Sequence, residues 1–158
     1  MKNSVFFKEL TEKIQPLPQL DEIEVLPTLK PASVLLLLYE RQGLPYLLFT
    51  KRSETVTYHK GQICFPGGKK DPTDADLKMT ALRETYEEIG IAQESIHVLG
   101  HLAPRRTVNN FFVAPFMGVF PYPYPFQTNQ AEIDELIEVP LNHLVDPQHY
   151  KQETRFYR

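Results

Sequence analysis

The stretch from Leu77 to Ile89 constrains this chain most. Leu77, Ala81, Leu82, Thr85 and Ile89 recur at helical spacing, and Gly90 stands where a helix stops. Strand-like apolar runs flank it on both sides. Strands arranged around one strong central helix predict a mixed α/β domain.

The flanking runs can be placed. Residues 32–40 form a continuous, mainly apolar run, long enough for a buried strand. A turn at 41–45 leads to a second strand at 46–50, antiparallel to the first. Residues 62–65 form a short strand that runs into Pro66-Gly67-Gly68. Residues 95–102 and 111–120 give two more strands, and 121–125 an irregular proline loop. Residues 132–138 fit either a strand or a helical turn, and 141–145 a short helix. At the start, Phe6, Phe7, Leu10 and Ile14 give residues 4–14 an amphipathic helical pattern. Pro16, Pro18 and Pro27 then break up an acidic connector, so residues 1–30 are expected to be a helix and a linker.

Composition narrows the function classes. The chain has 158 residues, the size of one domain over 1–158. Its 17 Lys and Arg against 20 Asp and Glu leave a net charge of −3, which argues against a nucleic-acid clamp. A lone Cys64 excludes an internal disulfide and an all-cysteine zinc site. The longest apolar run, Val34-Leu35-Leu36-Leu37-Leu38, is strand-sized and far short of a membrane span. The first residues break their apolar stretch with charge too early for a secretory signal, so a cytoplasmic location is the default expectation.

Chemistry concentrates on the central helix. Glu84, Glu87 and Glu88 stand at i, i+3 and i+4, so three carboxylates share one side. Such a cluster repels itself. It is either a solvated acidic face or an oxygen-ligand set for magnesium or manganese. Arg83 lies one turn before Glu87 and can fix its rotamer as an i, i+4 pair. Gly67 and Gly68 either make a tight turn or let the backbone approach a phosphate or a metal. Asp74 or Asp76 supplies the helix N-cap.

Residues 68–91 resemble the Nudix box, G-x5-E-x7-R-E-U-x-E-E-x-G-U, with U a bulky aliphatic residue. Gly68 starts the match, and Arg83-Glu84, Glu87-Glu88, Gly90 and Ile91 follow it residue for residue. Three positions depart from the pattern. Asp74 stands for the first glutamate, eight residues rather than seven precede Arg83, and Thr85 takes an aliphatic place. Upstream, Leu47 to Ser53, Gly61 and Phe65-Pro66-Gly67-Gly68 resemble the motif of coenzyme A pyrophosphatases, L-L-T-x-R-S-x3-R-x3-G-x3-F-P-G-G. One extra residue separates the leucine pair from Thr50, and the second arginine of that motif falls on Thr57.

The resemblance implies a Nudix fold, a mixed β-sheet sandwiched between α-helices. It implies hydrolysis of a diphosphate linkage, with coenzyme A or its thioesters as substrate and 3′,5′-ADP and (acyl-)4′-phosphopantetheine as products. ADP-ribose or another nucleoside diphosphate derivative is the alternative substrate, and a non-catalytic nucleotide-binding module the alternative role. Carried over residue by residue, Glu84, Glu87, Glu88 and the Gly68 carbonyl are expected to hold Mg2+ or Mn2+. Arg83 is expected to orient Glu87. The general base is Glu84 or a later-loop carboxylate, Glu132 or Glu135. Arg52, Gly67, Gly68 and Lys69 are expected at the substrate, with Lys51, Lys70, Arg105 and Arg106 as further cations. The implied partner is a small nucleotide, with no nucleic acid and no membrane; a homodimer stays open. The family's last strand and helix are expected to be missing beyond Arg158.

Other side chains invite less. His97 and His101 are four apart but in a strand pattern, too far for one ion, and His59 suggests no chemistry. Cys64 is expected to be buried and inert. Tyr122 and Tyr124 belong to a proline-braced loop that could also stack on an adenine.

Overall fold

A computed structural model of the chain describes residues 28–56, 59–151 and 154. The helix expected over 4–14, its connector and Thr57 lie outside the described residues.

The long apolar run becomes β1 (Lys30–Arg41), which pairs antiparallel with β2 (Leu44–Arg52). Their connection is Gln42-Gly43, with φ of 54° and 77°. Two consecutive positive φ values make the hairpin turn whose twist suits the flanking strands. Two short strands follow, β3 (Ile63–Cys64) and β4 (Gly67–Lys69), then helix α1 (Leu77–Ile89). After α1 come β5 (His97–His101), β6 (Arg105–Arg106), β7 (Phe111–Val119) and β8 (Ile133–Pro140), and a short helix α2 (Leu141–Val145).

All eight strands form one sheet. β1 and β7 run parallel, in register from Lys30 opposite Phe111 to Leu38 opposite Val119. The other pairings are antiparallel. β2 pairs with β8 along its outer edge, from Tyr46 opposite Pro140 to Arg52 opposite Ile133.

β1 and β2 part company beyond the Leu37–Leu48 pair. The gap is filled by the chain between them in sequence. β3 pairs with β2 through Thr50 and Lys51, and β4 pairs with β1 through Ala32, Ser33 and Val34. Between the two, the Pro66 carbonyl accepts from Leu35 N at 2.9 Å. Phe65-Pro66 thus bridges a fork in the sheet.

Alternation along β1 feeds two layers. Leu35, Leu37 and Tyr39 pack with Leu48, Phe116, Ala81, Leu82 and Ile89 under α1. Leu38 packs on the other face with Leu47, Val119, Leu141 and Leu144 under α2. Each buried leucine contributes about 2 kcal/mol of transfer free energy. The sheet therefore lies between helices, as the resemblance implied, although the second layer is a helix of only five residues.

Four local expectations are resolved or corrected. Residues 95–102 are not one strand: Ser95 ends a 3-10 turn and the strand is His97–His101. Residues 132–138 take the strand alternative, because the outer edge of β2 offers them a ladder. Arg105 and Arg106, outside the strands placed from the sequence, form a short strand of their own and pair with Val113 and Phe112 of β7. The 121–125 loop is braced into the core: Tyr122 stacks on Tyr39 at 4.6 Å, and Tyr124 Oη accepts from Ala92 N at 3.0 Å.

Candidate active site

The N-cap of α1 is Asp76, whose Oδ1 accepts from Met79 N at 2.7 Å. At the other end Gly90 takes φ 74° and its N–H donates to Tyr86 O. A Cβ there would lie 2.7 Å from Gln127 Cβ, so the position needs glycine for conformation and for space. Thr85, on the buried face, donates its hydroxyl to Ala81 O at 2.7 Å. That internal bond is how a threonine is tolerated at an aliphatic position.

The cap leaves Asp74 free for another task. Arg83 donates Nε to Asp74 Oδ1 at 2.9 Å and Nη2 to Asp74 Oδ2 at 3.0 Å. Thr80 Oγ1 and Asp71 N donate to the same carboxylate. The Arg83 guanidinium holds the Asp74 carboxyl down at about 2. Arg83 Nη1 reaches Glu84 Oε1 at 2.9 Å and Glu87 Oε2 at 3.0 Å, and Nη2 reaches the Lys69 carbonyl at 3.1 Å. Arg83 thus contacts Glu87 together with Glu84, Asp74 and the β4 backbone.

Glu88 turns inward, with its side chain 2 % exposed. Gly67 N donates to its Oε2 at 3.2 Å, and Arg52 Nη1 to its Oε1 at 3.4 Å. Burial outweighs both contacts and pushes its pKa up to about 8; the charges of Glu84 and Glu132 add to the rise. Arg52 Nε is buried and has no hydrogen-bond partner. Glu84 is also raised by burial, against the pull of Arg83.

The two glycines earn their places differently. Gly67 has φ 152°, and a Cβ on it would lie 2.3 Å from Ser33 O. A Cβ on Gly68 would lie 2.4–2.6 Å from the Glu84 carboxylate. The β4 backbone is therefore pressed against the acidic side of α1. Glu132 joins from the loop before β8. Its carbonyl accepts from Ser53 N at 2.8 Å, and Asn129 Nδ2 donates to its Oε1 at 3.3 Å. Glu135 is instead exposed on β8 opposite Lys51.

Sequence reasoning missed what docks that loop. Asn129 N donates to Glu88 O at 2.9 Å and Gln127 N to Ile89 O at 3.0 Å, capping the last carbonyls of α1. Backbone amides carry no sequence signal. The Asp74 role did leave one, since Asp74 falls on the first acidic position of the box.

The cations sort themselves. Arg52 faces Glu88; Lys70 Nζ donates to Asp74 O at 2.7 Å, and Arg106 Nη2 to Asn110 Oδ1 at 3.0 Å. Lys69 Nζ lies over the Phe111 ring, away from the carboxylates. Cys64 is half-buried, 3.4 Å from Thr50 Oγ1, and burial pushes its thiol up, so it is a poor nucleophile.

The donor set suits a hard divalent cation: three carboxylates, a close backbone segment and a buried Glu88 whose desolvation positive charge would offset. As they stand, Arg83 engages Glu84 and Glu87. Among the described residues no three acidic, histidine or cysteine side chains stand grouped as a ligand set. A cation here competes with the guanidinium contacts rather than filling a ready cage.

The NUDIX domain family model matches residues 29–158. The chain belongs to the NUDIX domain family. The "Peroxisomal coenzyme A diphosphatase NUDT7" of Mus musculus is 41% identical over 121 residues, covering 77% of this chain and 51% of that protein. The Nudix hydrolase NudL of Yersinia pestis (strain Pestoides F) is 42% identical over 106 residues, covering 67% of this chain and 53% of the relative. The chain spans about half the length of these curated relatives. Among solved structures, the binary complex of a C. elegans Ap4A hydrolase superposes with TM-score 0.62 at 20% identity, over 74% of this chain and 84% of that one. That likeness places the chain in the Nudix fold. Among the described residues no helix is long and apolar enough to cross a membrane.

Proposed function

We propose that this chain is a divalent-metal-dependent Nudix pyrophosphatase that hydrolyses coenzyme A or its thioesters. The observation that supports the chemistry is Glu84 and Glu88 lying against Gly68 and Gly67, with Arg83 joining Glu84 to Glu87. The coenzyme A substrate rests on the motif of residues 47–68 and on the 41% identity to a protein named as a coenzyme A diphosphatase.

Glu84, Glu87, Glu88 and the Gly68 carbonyl would hold Mg2+ or Mn2+. A divalent cation held there offsets the charge of the diphosphate and makes water a better nucleophile. Arg83 acts through the carboxylates it holds rather than on substrate. Glu132 stands at the rim, where it accepts a proton from the attacking water. Arg52 keeps an Nε without a hydrogen-bond partner among the described residues beside its contact to Glu88, and that guanidinium would be available to an oxygen of the diphosphate.

The test is product analysis. The protein is incubated with MgCl2 and, separately, coenzyme A, acetyl-coenzyme A, ADP-ribose and NADH. A Glu88→Gln variant runs beside it. Appearance of 3′,5′-ADP from the coenzyme A substrates, reduced about 100-fold or more in the variant, upholds the reading. Cleavage of ADP-ribose or NADH alone overturns the substrate. No turnover of any of them makes the chain a binding module.

A further inference from the structure

We propose that Asn129 is a positioning residue for the reaction. Its side-chain amide holds the Glu132 carboxylate at the rim, with one oxygen engaged and the other free for the proton of the attacking water.

The turn that carries Glu132 is tied to both elements that bear the site. Asn129 N donates to Glu88 O at 2.9 Å, at the end of α1. Ser53 N, next to Arg52, donates to Glu132 O at 2.8 Å. Thr55 Oγ1 donates to Ala131 O at 3.3 Å. The Asn129 carbonyl accepts from Glu132 N at 2.9 Å and from Ile133 N at 2.8 Å. These bonds fix the backbone of Glu132 between α1 and the end of β2. They leave its side chain its rotamers.

Charge alone would turn that side chain outward. Burial raises the carboxyls of Glu84 and Glu88, and the charge of Glu132 adds to both, so Glu132 stands within electrostatic reach of two carboxylates. Among the described residues it forms no ion pair that would hold it there. The group that meets it is neutral: Asn129 Nδ2 donates to Glu132 Oε1 at 3.3 Å. Asn129 Oδ1 accepts from Ala131 N at 3.2 Å. A backbone N–H can only donate, so the oxygen of the amide faces Ala131 and its NH2 faces Glu132.

The turn by itself does not require asparagine. Aspartate accepts from Ala131 N equally well. Only the donation to Glu132 separates the two residue types, because an aspartate presents a second carboxylate there. The inference rests on the proposed function for the role of Glu132 as base. In that role Oε2 takes a proton from water as the water oxygen bonds to phosphorus. The phosphoanhydride bond breaks with its electron pair on the leaving phosphate.

Asn129→Asp and Glu132→Gln are made singly and together. Steady-state kinetics with MgCl2, on whichever of coenzyme A and ADP-ribose the unaltered protein cleaves, are read beside the Tm of the EDTA-treated protein. Asn129→Asp alone is expected to lower kcat about tenfold with KM within about twofold. Added to Glu132→Gln, it is expected to change kcat by less than about twofold. Its Tm is expected to fall by about 2 °C or more beside Glu132, and by less than half as much beside the glutamine substitution. An unchanged kcat in Asn129→Asp, or the same loss in both backgrounds, overturns the inference while turnover upholds the function. If Glu132→Gln cleaves as fast as the unaltered protein, the base assignment fails and the inference with it. If neither compound is cleaved, the function fails and Tm decides the clamp: coupled losses uphold it, and additive losses overturn it.

Discussion

Arg83 and Asp74, nine residues apart, form a forked pair with both contacts at or below 3.0 Å, and Asp74 is only 8 % exposed. The first acidic position of the box is thus filled by a buried residue that grips Arg83. The fork requires a planar guanidinium. Arg83→Lys is expected to lose the bidentate contact and the link to Glu87 together. Chemical denaturation is expected to show a loss of about 3 kcal/mol, since a buried carboxylate is left poorly paired. A variant as stable as the parent would remove Arg83 from the centre of the network.

The same pair makes stability acid-sensitive in a defined window. The folded Asp74 carboxyl sits at about 2, below the 3.8 of an ordinary aspartate. A depressed carboxyl stabilises the fold above its unfolded value and loses that contribution as pH falls through the folded one. The melting temperature is therefore expected to drop between about pH 4 and pH 2. Asp74→Asn is expected to flatten that part of the profile while lowering Tm at neutral pH.

Glu88 works in the opposite sense. Its pKa is raised from 4.5 to about 8 by burial. Above pH 4.5 the unfolded chain gives up this proton while the folded one keeps it, so metal-free stability falls as pH rises toward 8. Glu88→Gln keeps an acceptor for Gly67 N and removes the buried charge. It is expected to raise the Tm of the EDTA-treated protein at pH 8 by a few degrees while abolishing turnover. A lower Tm would mean that the Arg52 contact stabilises more than burial costs.

Gly68→Ala puts a methyl carbon into the Glu84 carboxylate. It is expected to cut kcat by about 100-fold with a change in stability below about 1 kcal/mol, because the atoms in the way are the far end of a flexible side chain, which can swing aside. Gly90→Ala, at φ 74° against the Gln127 backbone, is expected instead to cost stability by more than about 1 kcal/mol. Thermal unfolding and steady-state kinetics on the two variants separate a chemical glycine from a conformational one.

Glu132 and Glu135 offer a paired control. Glu132→Gln is expected to lower kcat by about 10- to 1000-fold, while Glu135→Gln leaves it within about twofold. Equal effects would move the base back to α1.

Much of this was legible locally. The bounds of α1 follow from periodicity and a terminal glycine, and the acidic side of the helix from spacing alone. What escaped was non-local. A carboxylate that caps a helix and one gripped by an arginine nine residues on look alike by local spacing, so spacing alone could not tell Asp74 from Asp76, and only the box position did. The meeting of Arg52 with Glu88 spans 36 residues and depends on where β2 ends. Glu132 reaches the rim because amides of 127–129 dock on carbonyls of α1, a pairing that any residue type could make.

The fork between β1 and β2 has a consequence for divergence. Each prong has its own anchor, β1 on β7 and β2 on β8, and the bridge at Phe65-Pro66 closes the gap behind them. Residues 53–56 leave from one prong, and residues 59–62 lead back toward that bridge. Both ends are pinned, Ser53 N on the Glu132 carbonyl and Gln62 O on Arg52 N, so a change of length between them leaves the spacing of α1 and β4 untouched.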